Sequence, residues 1–223
     1  MKKIMFNDNF LLTKAVLEGR KTQTRRMITY PKKLHGQDVC GYYVCRRATD
    51  EAITEVCMYD ENESFIDEGQ ILPKYNVGEV VAVAQSYKDI FSAFSQHPNP
   101  QLNIGVKNPT DTAGWNNKMF VKGDLMPNKI RITDVRVERL QDISDDDCLK
   151  EGVIKDTCKT YFNGYTTKFS IDQYGNMLSS NWFKTPREAF AYLINKVSGK
   201  DVWEENPYVF VYDFELVNSH SLR

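Results

Sequence analysis

The chain has 223 residues, 41% of them hydrophobic and 26% charged, with 29 basic against 30 acidic side chains and a sequence pI near 6.3. That length supports one large domain with a substantial core, and the composition excludes a disordered or fibrous chain. Balanced charge excludes a protein that coats nucleic acid over its whole surface, but a local basic groove stays open because distant charges are screened within about 8 to 10 Å at physiological salt.

The amino terminus, MKKIMFNDNF, has a basic start with no sustained apolar stretch behind it, and is not expected to be a secretory signal. The first helix is predicted from Asn9 as N-cap, Leu12, Ala15 and Val16 at helical spacing, and Gly19 as the residue after its end. The run that follows, GRKTQTRR, carries Arg20, Lys21, Arg25 and Arg26 and has β-tolerant threonines, so an extended or turning segment is expected over Lys21 to Arg26.

Residues 30 to 75 hold two strand-like pieces, Gly41 to Arg46 and Ala52 to Tyr59, which read as an inserted hairpin. A turn at Asn76 to Gly78 leads into the apolar run Val80 to Ala84, the pattern of a strand buried on both faces. From Phe91 to Gly123 the richness in Asn, Pro, Gly and Ser predicts a long loop over one rim.

In MPNKIRITDVRVERL, Ile130 and Ile132 share one parity and Val135 and Val137 the other, which predicts a β-bulge near Thr133 and Asp134. SDDDCLKEG predicts a short helix capped by Ser144, with three acids in its first turn and Gly152 past its end. TPREAFAYLINKVSG predicts a longer helix with Thr185 as N-cap, Pro186 at its first position, Glu188 closing the box, a stripe of Ala189, Phe190, Leu193, Ile194 and Val197, and Gly199 as its stop. The last strand, PYVFVYDFELV, sets Phe210, Tyr212, Phe214 and Leu216 on one side. Strands outnumber helices without alternating regularly with them, which predicts an α+β fold on a small twisted or closed sheet.

The sequence holds no phosphate-binding loop, zinc-protease or serine-hydrolase motif. In GRKT an arginine separates the glycine from the lysine and a helix precedes it, so it is no phosphate-binding loop. His35, His97 and His220 are scattered, and His35 with Cys40, Cys45 and Cys57 lacks a compact paired metal spacing, so the cysteines are expected to be plain thiols. The odd count of five cysteines and apolar runs no longer than five residues predict a reduced, cytoplasmic protein with no membrane partner.

Two residues stand out on charge. Lys21 lies among arginines that disfavour a further positive charge, so it is either a solvated cation or, if partly buried, a base with a lowered pKa. Glu151 ends a short helix, where the dipole opposes a carboxylate, so it is either an exposed glutamate or one facing a cation in a cleft. Trp115, in TAGWNN, either pins its loop or offers a stacking platform for a base.

Taken together, the helix with GRKTQTRR, YNVGEVV, LMPNKIRITDVRVERLQDISDDDCLKEG and PREAFAYLINKVSGKDVWEENPYVFVYDFEL resemble the ASCH domain of the PUA-like superfamily, in particular its larger phage and mobile-element versions. The resemblance implies a single domain over residues 1–223, built as a small mixed β-barrel with flanking helices and with insertions at about 30–70, 88–122 and 155–184. Its relatives, the bacterial N4-acetylcytidine amidohydrolases, imply Lys21, Thr24 and Glu151 as catalytic residues that need no cofactor. Arg25 stands where those compact enzymes have a small apolar residue. In a straight strand, residues 21 and 24 project from opposite faces, so convergence demands a turn between them. The alternative expectation is a noncatalytic RNA-binding module, or a ribonuclease, in which Arg20, Arg25, Arg26 and Arg131 contact phosphate and Trp115 stacks on a base.

Overall fold

The computed structural model describes residues 1–94, 111–156, 164–167, 169–171, 177–179 and 181–217. In chain order the elements are β1 (Lys3–Ile4), α1 (Leu12–Leu17), β2 (Gln23–Met27), β3 (Lys33–Leu34), β4 (Gln37–Asp38), β5 (Gly41–Arg46), β6 (Ile53–Tyr59), β7 (Phe65–Gln70), β8 (Val80–Val83) and α2 (Tyr87–Phe94). There follow β9 (Lys129–Arg139), α3 (Asp145–Lys150), β10 (Ile154–Asp156), β11 (Gly164–Thr166), β12 (Phe169–Ile171), β13 (Met177–Ser179), α4 (Pro186–Ser198), α5 (Val202–Glu205) and β14 (Tyr208–Val217).

The fold is α+β. Its main sheet has the strand order β1-β8-β9-β14-β2, with β1 parallel to β8 and every other pair antiparallel. The ladder does not close into a barrel, because edge strands β1 and β2 do not pair. In a flat five-stranded sheet those edges would stand about 19 Å apart. Here Arg26 Nη2 on β2 donates to the carbonyl of Met5, one residue past β1, at 2.6 Å. The sheet is therefore curled until a single arginine side chain spans the gap.

The parity switch in β9 is resolved as the sequence predicts. Asp134 faces Asp213 and Ile132 faces Phe214, leaving Thr133 without a partner in the register. This one extra residue sets Ile130, Ile132, Val135 and Val137 opposite Leu216, Phe214, Tyr212 and Phe210, so both parities meet the same aromatic face of β14. The charged residues Asp134, Arg136 and Glu138 are thereby committed to the other face.

Helix α3 is capped by Ser144, whose hydroxyl accepts from the Asp147 amide at 3.1 Å. Helix α4 starts as expected, with Thr185 capping the Glu188 amide and Pro186 in its first turn. Its buried stripe is Ala189, Phe190, Leu193 and Ile194, whereas Val197 lies at the rim, 36% exposed. The central core gathers these with Ile4, Val81, Val83, Ile130, Ile132, Val209 and Val211.

Three expectations are corrected. Helix α1 is not capped by Asn9: Leu11 occupies the left-handed region at the cap position with no side-chain cap, and the Asn7 side chain instead accepts from the Asn9 amide in the preceding turn. The inserted hairpin has a third strand, β7, added to the edge of β6. Within the stretch read as loop from Phe91, residues 91–94 complete helix α2, which starts at a Ser86 cap whose hydroxyl accepts from the Asp89 amide at 3.1 Å. Residues 95–110 of that stretch, and most of the insertion at about 155–184, lie outside the described residues.

Candidate active site

The site forms where α1 hands over to β2. Gly19, at φ 72°, ends α1 in a Schellman arrangement: its amide bonds to Val16 O and that of Arg20 to Ala15 O, both at 2.9 Å. The Lys21 amide also reaches Ala15 O, which turns the chain sharply before β2 begins. Thr22 is then pinned on both sides, its amide to Lys150 O at 3.0 Å and its carbonyl to the Phe214 amide at 2.8 Å. These bonds dock the turn against the C-terminus of α3 and supply the bend that residues 21 and 24 need to approach one space.

Lys21 is 2% exposed and its three donors are all used. Nζ donates to Gln23 O at 2.7 Å, to Glu151 O at 2.7 Å and to Glu151 Oε2 at 2.6 Å. The contact with a last-turn carbonyl places a cation where the helix exposes unpaired acceptors. Gly152, at φ 107°, leaves the room: a Cβ there would approach Leu12 to 3.0 Å and the Lys21 side chain to 3.7 Å. Burial lowers the Lys21 pKa; Glu151 opposes that, and Arg26 and Arg25 push it down further. The downward direction is the one expected from the flanking arginines and burial, with desolvation rather than the arginines as the leading cause.

Glu151 is the shared anion of two cations. Its other oxygen, Oε1, accepts from Arg25 Nη1 at 3.3 Å, and the Arg25 side chain is fully buried. Arg25 Nη2 also meets Glu138 at 3.1 Å and Asp147 at 3.6 Å. Gln23 extends the network, donating to Asp213 at 2.7 Å and Asp147 at 3.3 Å. Arg136 joins it from β9 through Glu138, Asp213 and Asp147. Sequence reasoning missed these supporting residues, though two signals were present: Asp134, Arg136 and Glu138 alternate along one strand, and Asp147 and Glu151 are one helical turn apart. Among the described residues, one buried atom in this network has no hydrogen-bond partner, Nε of Arg25.

Beside the pair is a cavity of about 330 Å³, lined by Lys21, Thr24, Arg25, Arg26 and Glu151, with Phe6 and the α4 residues Phe190 and Leu193 as apolar walls. Its volume lies at the lower end of the range for small-molecule sites. Thr24 is buried at this wall. Arg26, which also lines the cavity, bonds to Met5 O and lies over the Phe6 ring at 5.6 Å. Among the described residues, none from the insertions at about 30–70, 88–122 or 155–184 lines this cavity.

The other predicted binding residues lie apart from it. Arg20 is exposed and paired with Glu18 at 2.9 Å. Arg131 sits on β9 beside Glu215 at 3.7 Å. Trp115 packs on Phe91, with ring centroids 5.4 Å apart, in a second apolar cluster around Tyr87, Ile90, Val121 and Met126. It holds its loop to α2.

The class defined by this geometry is an α+β protein with a curled mixed sheet and a buried Lys–Glu–Arg cluster beside a small cavity. Compared with protein-family models, with curated proteins and with solved structures, the chain matches none of them. No helix among the described residues is long and apolar enough to cross a membrane.

Proposed function

We propose that the chain is a nucleoside- or RNA-directed hydrolase of the PUA-like, ASCH type, removing an acyl group from N4-acetylcytidine or a similarly acylated base. The observation that carries this reading is the meeting of Lys21 and Glu151 at 2.6 Å, across 130 residues of sequence, on the wall of a cavity that Thr24 also lines.

The pair supplies both proton-transfer roles. Moving one proton from Lys21 to Glu151 turns ammonium and carboxylate into amine and carboxylic acid, a base and an acid in contact. Burial favours the neutral amine. The amine releases one of its carbonyl acceptors, takes the proton of the Thr24 hydroxyl, and the Thr24 oxygen bonds to the acyl carbon. As the bond from carbon to the exocyclic nitrogen breaks, Glu151 gives that nitrogen its proton, so the free cytosine amine leaves and the original ion pair is restored. Water then cleaves the acyl–threonine ester by the same transfers in reverse, releasing the carboxylic acid. The apolar walls of Phe190 and Leu193 suit a planar base, and the Arg26 lining suits a ribose or phosphate.

Purified protein should release acetate from N4-acetylcytidine. Lys21→Ala and Thr24→Ala should each lower turnover by about 10² to 10⁴, the usual share of a positioned base or nucleophile. Inert wild-type protein across a panel of N4-acylated cytidines would overturn the reading.

A further inference from the structure

The inserted three-stranded sheet carries a second cluster of chemical groups, remote in kind from the cavity and independent of the proposed hydrolysis. In the β5–β6 ladder Cys45 lies directly across from Glu55, and Cys57 lies two pairs further along, across from Tyr43. Residues that alternate along a strand share a face, so Cys45, Glu55 and Cys57 project on the same side. One ligand atom from each, two sulfurs and a carboxylate oxygen, lie within 4.8 Å of one another.

Two further features mark the cluster. The register shifts just past Cys45 in the β5–β6 ladder and just past Cys57 in the β6–β7 ladder, so irregularities lie on both sides of the three residues. Gln70, the partner of Cys57 on β7, donates from Nε2 to Glu55 Oε1 at 2.9 Å. That bond orients the carboxylate as an outer hydrogen bond does at a metal centre. His35 and Cys40, which the sequence would group with these thiols, lie elsewhere: His35 pairs with Glu68 at 3.4 Å and Cys40 is exposed.

We infer that Cys45, Cys57 and Glu55 form a zinc site. Thiolates select zinc over hard divalent cations, and three protein donors leave the fourth tetrahedral position to water or a further ligand. With zinc–sulfur bonds of about 2.3 Å, two sulfurs of a tetrahedral site stand about 3.8 Å apart, so closing the present cluster around an ion needs side-chain adjustments of an ångström or less. On binding, each thiol releases its proton to solvent and both sulfurs become ligands; no electron is transferred. The ion ties β5 to β6 and fixes an inserted sheet that has little core of its own.

The test uses the full chain, reduced and freed of metal, titrated with Co²⁺ and then Zn²⁺. One equivalent of Co²⁺ should bind, with the near-ultraviolet charge-transfer absorption of cobalt–thiolate bonds, and Zn²⁺ should displace it and raise the melting temperature. Cys45→Ser and Cys57→Ser should each remove about half of that absorption or all of it, whereas Cys40→Ser leaves it intact. Gln70→Leu should weaken binding by roughly tenfold or more while keeping the band, because only the outer hydrogen bond is lost. The inference is overturned if the reduced chain shows no thiolate band, if the double variant of Cys45 and Cys57 keeps it, or if the thiols are found joined as a disulfide whose reduction restores no metal binding. Acetate release from N4-acetylcytidine is read separately, so failure of one assignment leaves the other standing.

Discussion

The hollow at Lys21 and the corner at Trp115 are built by opposite means. Around Lys21 the chain buries two fully enclosed cations and a carboxylate, holding them with crossed ion pairs to Glu138 and Asp147. Around Trp115 it buries Tyr87, Ile90, Val121 and Met126 with no ion among them. The apolar corner gains from every group it removes from water. The charged hollow must recover a desolvation cost of several kcal/mol per ion through geometry, and replacing such clusters with hydrophobic residues is often neutral or stabilising. A cluster of this kind is weak as a stabilising device, and its position beside a cavity is what the proposed hydrolysis draws on.

The sharpest way to break the contrast is Glu151→Ala, which strands Lys21 and Arg25 without their shared anion. Unfolding in urea should show a loss of about 3 to 5 kcal/mol, the penalty for unpairing a buried charge. The pair also has a pH signature. The folded pKa of Lys21 lies below its usual 10.5, so between those two values the unfolded chain binds a proton that the folded chain does not. Lys21's contribution to stability therefore improves as pH rises toward 10.5 and is least favourable below the folded pKa. The stability of wild type relative to Lys21→Met should climb as pH rises from the lowered folded pKa toward 10.5; a fall there would contradict the desolvation argument.

In the apolar corner, Ile90→Ala removes a side chain that is 1% exposed and should cost about 2 to 5 kcal/mol, depending on how far the site collapses. Because no residue of this corner lines the cavity, activity per folded molecule should be unchanged. A loss of turnover in proportion to stability would show that the two regions are coupled. A smaller effect belongs to the same corner: Ser86→Ala, which deletes the cap of α2, should cost about 1 kcal/mol.

The capping prediction also shows what a sequence can carry. Several local signals are explicit in the sequence: Ser144 and Thr185 cap their helices, Gly19 ends α1, and the parity change around Thr133 marks a bulge, although the Asn9 cap signal misleads. Helix α2 was legible too, since Ser86 and Asp89 hold capping-box spacing, but the Asn- and Pro-rich stretch after it masked the signal. Strand β7 was not legible, because Asp67, Glu68 and Gly69 are poor strand formers and the strand is held to the edge of β6 through Phe65 and Gln70 at its two ends. The oddity of Lys21 and of Glu151 could each be read singly. Their contact could not, because it depends on α3 following β9 and on β2 pairing with β14, which are choices of topology rather than of local pattern.

Arg20 gives the smallest expected effect and the finest test of how the cations of this segment divide. It adjoins Lys21 in sequence, yet its side chain faces solvent and meets only Glu18 among the described residues. Its structural work is done by the backbone, whose amide closes the end of α1 on Ala15 O whatever the side chain. Arg20→Ala should therefore change stability by about 0.5 kcal/mol or less, as exposed pairs generally do, and leave turnover of a nucleoside substrate unaltered. If an RNA substrate is used instead, the measurement gains a second readout. A phosphate contact made by Arg20 would lower the slope of log affinity against log salt by about 0.7 to 0.9 on its removal. An unchanged slope assigns recognition to the cavity, whereas a fall of that size extends the binding surface outward from Arg26 onto the exposed end of α1.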